Sequence, residues 1–518
     1  MLHRLLLSAA LTFLATPYPL RAQENDEPDD QALERSFYKG ELGSPGAPDL
    51  ENPHDAIFVG AGYYNIGGLL GEHYLRLTPS VSLHFAPLDK PLTLIFEGPI
   101  NFDIGPMVAD AIDNQRVAPD SALGQLRPAD YDEAGDFLKF VRKVQLGRKE
   151  EKLYVNVGRL YGVSIGHGTV VRRYNPNLDP DRTRVGLQLD AYNDYGGFET
   201  FVADLAMQTR LMGALAFLKP LSLVSEAGIA RSFSLGVHVT SDLHAPTQLL
   251  RRTDPAPAAG EPAQVLVDGA GFPRYDAAQV TVMGFDAEIK PLKVGNAVDL
   301  KLYGDFSRID GAGGGITAGL LLRSNLGERP WLQALRLRLE GRRYDDNYAP
   351  EYFDSLYEVQ KFQLVHSEPT GFEPTKYEAI VARPRTRSLT SVYGEASYAL
   401  VDEVVLGVGL ERVADLGTYN LLVHLEVPAF ELLRLYASYQ KLGFARLGDA
   451  FKVPQGGPFR FEPDVLLYAQ ARMMVLPILF INARVIQSYQ WDPTLHGGSY
   501  APSLDFLGEV QLGWEFGE

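Results

Sequence analysis

Cysteine is absent from all 518 residues, which excludes a disulfide framework, a thiolate metal site and an N-terminal lipid anchor. Long apolar runs are missing too: beyond the N-terminus no stretch approaches 18 residues, so no transmembrane helix is expected. Positive charge is in deficit. The 48 Lys and Arg against 65 Asp and Glu leave a formal charge of −17, the wrong balance for a nucleic-acid partner. Neither HExxH nor a phosphate-binding loop occurs, and His167 and His424 lack a sequence partner that would complete a catalytic pair. No enzyme activity, metal or cofactor is implied.

What is present begins with a targeting segment. Arg4, the apolar stretch Leu5–Ala15 and Leu20-Arg21-Ala22 have the layout of a secretory signal peptide over residues 1–22. Its removal takes two arginines and no acid, moving the charge from −17 to −19. Residues 23–55 are acidic and rich in Pro, Gly and Asp, the composition of a disordered segment. They are too few for a plug domain inside a barrel. From residue 56 to 518 the composition stays uniform, with no linker, and this stretch reads as one domain.

That domain alternates. In Asp505–Phe516, Phe506, Val510, Leu512, Trp514 and Phe516 fall on one parity and Asp505, Glu509, Gln511 and Glu515 on the other. A strand has a side-chain period of two, so such a segment has an apolar face and a charged face. Leu335, Leu337 and Leu339 alternate with Arg336, Arg338 and Glu340 in the same way. Some twenty segments share this grammar. The long connections at 104–136, 164–183, 242–278, 345–388, 441–463 and 490–503 each follow an odd-numbered strand, whereas the others are short turns. Sorting of loops by parity is expected of barrels with outer loops and periplasmic turns, not of soluble sandwiches. Trp331, Tyr398, Tyr439, Trp514 and Phe516 near strand ends suit an interfacial aromatic girdle. The expected fold is therefore all-β: a transmembrane antiparallel up-and-down β-barrel of about 18–20 strands, its greasy parity on lipid.

The run Val157-Gly158-Arg159-Leu160-Tyr161, then Gly166-His167-Gly168, then residues 182–194, resembles a strand–loop–strand of bacterial outer-membrane porins and alginate-exporter-like barrels. The last strand is similar to the C-terminal assembly signal of such barrels, with Gly517 and Glu518 as extra residues after Phe516. The resemblance implies a porin-like barrel in the outer membrane of a Gram-negative bacterium and carries no substrate. It implies lipid and lipopolysaccharide as surroundings, and recognition of the final strand by the barrel-assembly machinery.

The inward parity nominates pore-lining residues: Lys139, Lys143, Asp299, Lys301, Asp305, Arg336, Arg338, Arg342, Glu426, Arg434, Arg472, Arg484 and Glu509. Two readings fit them. Charged walls can select permeants, or their ion pairs can simply brace the wall. Two long loops are candidates for folding inward. One holds apolar Met107, Val108, Ala109 and Ala111; the other carries Arg172, Arg173, Arg182 and Arg184 beside Gly166 and Gly168. The arginines suit either an anionic solute, bound bidentately, or acidic loops and lipopolysaccharide phosphates. Residues 352–364 place apolar side chains at helical spacing, for a short helix over the mouth or a partner site. Asp179-Pro180-Asp181 and Asp345-Asp346-Asn347 are oxygen-rich but lack calcium-loop spacing and read as turns. The expected function is passage of small hydrophilic solutes; the alternative is a non-conducting barrel that binds through its outer loops.

Overall fold

The computed structural model describes residues 55–516, apart from 68–70, 86–90, 109–122, 128–129, 132–133, 148, 150–151, 180–182, 207–208, 226, 253–262, 270–271, 295–297, 326–333, 363–373, 401–403, 428–431, 453–463 and 493–497. The leader and acidic segment expected at 1–22 and 23–55 thus lie outside it up to residue 54, as do Arg182 and Trp331.

Strand β1 (Asp55–Ile66) pairs antiparallel with β2 (Glu72–Phe85), and the hairpin logic continues around a closed ring. The next strand is broken. β3 (Leu92–Glu97) and β4 (Ile100–Asp103) both lie on β2, separated by Gly98-Pro99. Pro99 has no N–H for the ladder, so pairing stops there and Gly98 donates to the Pro79 carbonyl at 2.9 Å instead. Then follow β5 (Val141–Leu146), β6 (Leu153–Gly158), β7 (Gly186–Asn193), β8 (Gly196–Val202) and β9 (Leu211–Leu218). Two longer strands come next, β10 (Ser234–Leu249) and β11 (Tyr275–Val294). The second half comprises β12 (Val298–Ile309), β13 (Gly314–Asn325), β14 (Ala334–Asp345), β15 (Ser388–Leu400), β16 (Val404–Val413) and β17 (Thr418–Val427). β18 (Leu433–Phe444), β19 (Val465–Leu476), β20 (Leu479–Asp492) and β21 (Ser499–Phe516) complete the chain. β21 returns to β1, from Asp55↔Phe516 to Asn65↔Phe506, and closes the sheet. With β3 and β4 forming one stave, the barrel has twenty strands.

Each wall strand sorts its side chains as the alternation requires. Val59, Val237, Phe285, Leu339, Val392, Leu512 and Trp514 stand out from the barrel, exposed by 53, 52, 64, 54, 65, 57 and 60%. The opposite parity points inward. Closure removes every sheet edge, which is what a hydrocarbon solvent demands of a β structure. No helix among the described residues is long and apolar enough to cross a membrane.

The long connections cluster at one end, as expected, with two changes. The loop read at 242–278 is shorter than that, because β10 and β11 continue to Leu249 and from Tyr275. At the other end, where turns such as 194–195 and 477–478 join strands, residues 219–233 form a longer connection containing a 3-10 turn (Pro220–Leu223) and a helical turn (Gly228–Ser232). The alternation predicts a strand over 137–148, and the strand begins only at Val141, because 137–140, with Lys139, belong to the 3-10 turn Ala134–Phe140.

Candidate functional site

Two long loops turn back into the barrel rather than over it. In the connection between β6 and β7, residues 163–174 form a small hairpin: Val163 and Tyr174 exchange backbone hydrogen bonds at 2.9 Å in both directions. Its tip, Gly166-His167-Gly168, needs left-handed backbone at both glycines (φ 56° and 71°). The described residues between β14 and β15, 346–362 and 374–387, include a stretch that lies beside it. Arg172 N donates to Phe353 O (3.2 Å), Phe353 N to Val170 O (3.1 Å) and Glu351 N to Thr169 O (2.8 Å). The loops are thereby zipped together.

Apolar contacts fill the space between loops and wall. Val163, Val171, Tyr174, Tyr352, Phe353 and Tyr357 of the loops pack in one core with wall residues such as Phe201, Leu211, Val282 and Tyr344. A second core joins Leu178, Leu356, Val359 and Phe362 to Leu466, Tyr489 and Tyr500 on the far side of the ring. The helical spacing of 352–364 yields one turn, Tyr357–Gln360, buried in this plug.

The nominated charges of β14 end beneath the plug. Arg172 and Glu340 have side chains only 1% and 0% exposed and lie 3.7 Å apart. Glu340 also holds Arg338 and Arg342; Glu351 holds Arg172 and Arg342; Glu411 binds Arg342 at 2.9 Å. Arg173 donates to Glu395 at 2.6 Å, and Arg336 lies 3.6 Å from the same carboxylate. Tyr303 places its hydroxyl on Glu340 (2.5 Å) and stacks on His167 with ring centroids 4.2 Å apart. Gly319 lies opposite, where a Cβ would come within 2.6 Å of that hydroxyl, so glycine there makes room for the ring. Arg173 and Glu351, the two non-glycine residues with positive φ among the described residues (51° and 55°), are both charged anchors of the plug. Backbone of that kind persists where surrounding contacts over-determine it.

The remaining loop arginine, Arg184, lies 3.3 Å from Glu358, which also takes Lys361 at 2.9 Å and the Tyr174 hydroxyl at 2.7 Å. Burial opposes ionisation of Glu358, but Lys361 and Arg184 outweigh it and hold its pKa at about 2. Asp305 meets His238 at 3.0 Å, Lys301 meets Glu288 at 2.9 Å, and Asp299 meets Lys290 at 3.4 Å. Asp345 and Asp346 are occupied by the Gly314 amide and Arg385, and by Thr386 and Arg387. His167 faces Asp286 (3.3 Å) and Glu288 (3.6 Å); His424 faces Glu426 at 3.5 Å.

Two cavities lie inside the barrel along β1–β5 and β19–β21. A cavity of about 120 Å³ at the long-loop end is lined by Tyr64, Asn101, Lys139, Arg159, Asn177 and Asp505, among others. A second, about 70 Å³, continues toward the short turns past Ser80, Ser82, Arg142, Gln470, Arg472 and Glu509. The two share Arg76, Glu97 and Arg484. At this neck Glu97 is already engaged by Arg142 (2.6 Å) and Arg159 (3.3 Å). Arg76 donates to the neutral Asn101 at 2.7 Å and stacks 3.5 Å over Tyr64. Arg484 has no hydrogen-bond or ion-pair partner among the described residues. Four guanidiniums therefore gather at one carboxylate, and two of them, Arg76 and Arg484, make no ion pair with it.

Of the nominated residues, Lys139, Arg472, Arg484 and Glu509 line these cavities. Arg472 is held between the rings of Phe58 and Phe480 (4.5 and 4.4 Å) and lies 3.5 Å from Glu515. Arg434 is half-buried on β18 opposite Arg472. Lys143 shares a face with Ile95, which lines the inner cavity. Alternation alone did not nominate Arg76, Glu97, Arg142 or Arg159. Arg142 is the extra residue of a register shift, inserted between Phe96↔Val141 and Ile95↔Lys143. A bulge of that kind changes parity without leaving a mark in composition.

No family model matches the chain, and none of the curated proteins does. Solved structures similar to it include a mutant ferric enterobactin receptor (PfeA) from Pseudomonas aeruginosa in complex with enterobactin, 11% identical over 90% of this chain and 82% of that one, TM-score 0.32. Two others are P. aeruginosa OccK11 (OpdR), 11% identical over 89% and 95% with a TM-score of 0.31, and the P. aeruginosa outer membrane protein opdK, 9% identical over 89% and 99%, also 0.31. Likeness at this level extends to the barrel architecture and to nothing that these proteins bind.

Proposed function

We propose that the protein is a channel of the bacterial outer membrane that passes small hydrophilic solutes down one side of its lumen, small anions in preference. The observation that carries this is the neck at Arg76, Glu97 and Arg484, where two polar cavities stacked along the barrel share their lining. The apolar exterior supports a lipid setting. A locally positive constriction raises the concentration of anions in the passage and lowers that of cations. Refolded full-length protein in planar bilayers tests it: a salt gradient should give a reversal potential of the sign set by anion permeation.

The plug favours a second reading, a non-conducting barrel whose long loops are a binding surface, because loop side chains occupy much of the lumen. The two readings part on one result. If neither the full chain nor a variant lacking residues 350–381 conducts, the channel reading fails and the second stands.

A further inference from the structure

We infer that residues 219–233, the connection between β9 and β10, are an interfacial anchor bedded in the phospholipid headgroups at the short-turn end of the barrel. This rests on the membrane reading above and adds a contact to it.

A turn exposed to water would bury its apolar side chains and show its polar ones. This connection does the reverse. Leu223, Val224 and Ile229 are exposed by 72, 79 and 53%, far beyond the needs of a loop. Its hydroxyls are spent internally: Ser222 Oγ donates to Lys219 O (2.6 Å), and Ser225 Oγ accepts from the Ala227 amide (3.2 Å). Ser232 Oγ accepts from the Lys290 amide at 2.9 Å and donates to the Lys290 carbonyl at 3.3 Å, which fastens the segment to β11 beyond the start of β10. The Lys219 amide is tied to Tyr195 O at 2.7 Å in the neighbouring turn.

The segment therefore has a fixed base and a greasy outer surface, and that surface is continuous with the lipid-facing wall. Leu218, the last outward residue of β9, and Leu235, the first of β10, are 69 and 48% exposed on either side of it. Lys219 and Arg231 flank the apolar set, where ammonium and guanidinium heads meet phosphates. Short amphipathic segments with this arrangement lie in the interface and do not cross it. The occupant that fits is thus an anionic phospholipid surface; a periplasmic protein would have no reason to match a face that runs on from the hydrocarbon band.

The chain's lack of cysteine makes the test clean. Single variants Val224→Cys, Ile229→Cys, Phe285→Cys and Lys452→Cys carry an environment-sensitive NBD label, with the full protein in phosphatidylethanolamine–phosphatidylglycerol vesicles. Heat-modifiable mobility in gels verifies that each is folded. Labels at 224 and 229 should be blue-shifted and lose about half of their emission to nitroxides placed shallow in the lipid, as expected for interfacial burial. The label at 285 should respond to deep nitroxides, and that at 452 to neither. Water-like emission at 224 and 229 with 285 still quenched would overturn the anchor alone. Loss of quenching at 285 as well would remove the membrane reading and the anchor with it.

Discussion

Glu358 is a carboxylate committed to its neighbours. Its pKa is brought from 4.5 to about 2 because Lys361 and Arg184 outweigh the effect of burial. A depressed acid stabilises the docked loop fully above its free value of 4.5, and that contribution is lost as the pH falls toward 2. Hydrogen exchange of residues 352–362, corrected for intrinsic rates, should therefore be flat from neutrality to pH 5 and rise steeply below pH 4. Glu358→Gln should reduce that acid dependence, leaving the part carried by Glu351 and its arginines. It should also weaken docking at neutral pH by about 3–5 kcal/mol, since two buried cations lose their counter-charge. Arg484 makes the opposite case, a charge left uncommitted. Arg484→Glu should leave thermal stability nearly unchanged and reduce the anion-over-cation permeability ratio by roughly threefold or more, read from the reversal potential.

Among the elements, the plug determines how much of the lumen carries water. Phe353 is fully buried between the two loops and the wall. Phe353→Ala should destabilise the docked state by about 3–5 kcal/mol without unfolding the barrel, and single-channel recordings should then show frequent openings to a higher conductance level. Strands and plug differed in how readily they could be read beforehand. The strands carry their own signal, since Leu335-Arg336-Leu337-Arg338-Leu339 announces both period and facing, and the paired registers follow. The plug has no local signal of this kind. Arg172 and Glu351 are 179 positions apart, and nothing near either specifies the other. Residues 352–364 were apolar enough to be noticed, but burial of Tyr352, Phe353, Leu356, Tyr357, Val359 and Phe362, not an amphipathic helix over the mouth, is what their composition serves. The four loop arginines suited either an anionic solute or acidic loops and lipopolysaccharide phosphates; Arg172, Arg173 and Arg184 meet carboxylates of the same chain. The neck was hidden by the bulge at Arg142 and by the broken stave that bears Glu97.

At the level of the whole molecule, the ring is a single continuous ladder whose last segment secures its first. Truncation after Ser503 would remove every β21 partner of β1 from Asn65 to Asp55, leaving two long unpaired edges that lipid cannot satisfy. Such a chain should lose the fast-migrating folded band on unheated gels. Elsewhere the hoop is interrupted by bulges that leave both strands whole, but where Thr78-Pro79 faces Gly98-Pro99 the stave itself is broken. There two imino residues withhold their donors and the Gly98-to-Pro79 bond bridges the gap. Pro99 also lines the wider of the two cavities. A cask leaks first where one plank is spliced: tension in the surrounding bilayer should part the wall at this splice, between the watery column and the acyl chains, before it opens any other joint.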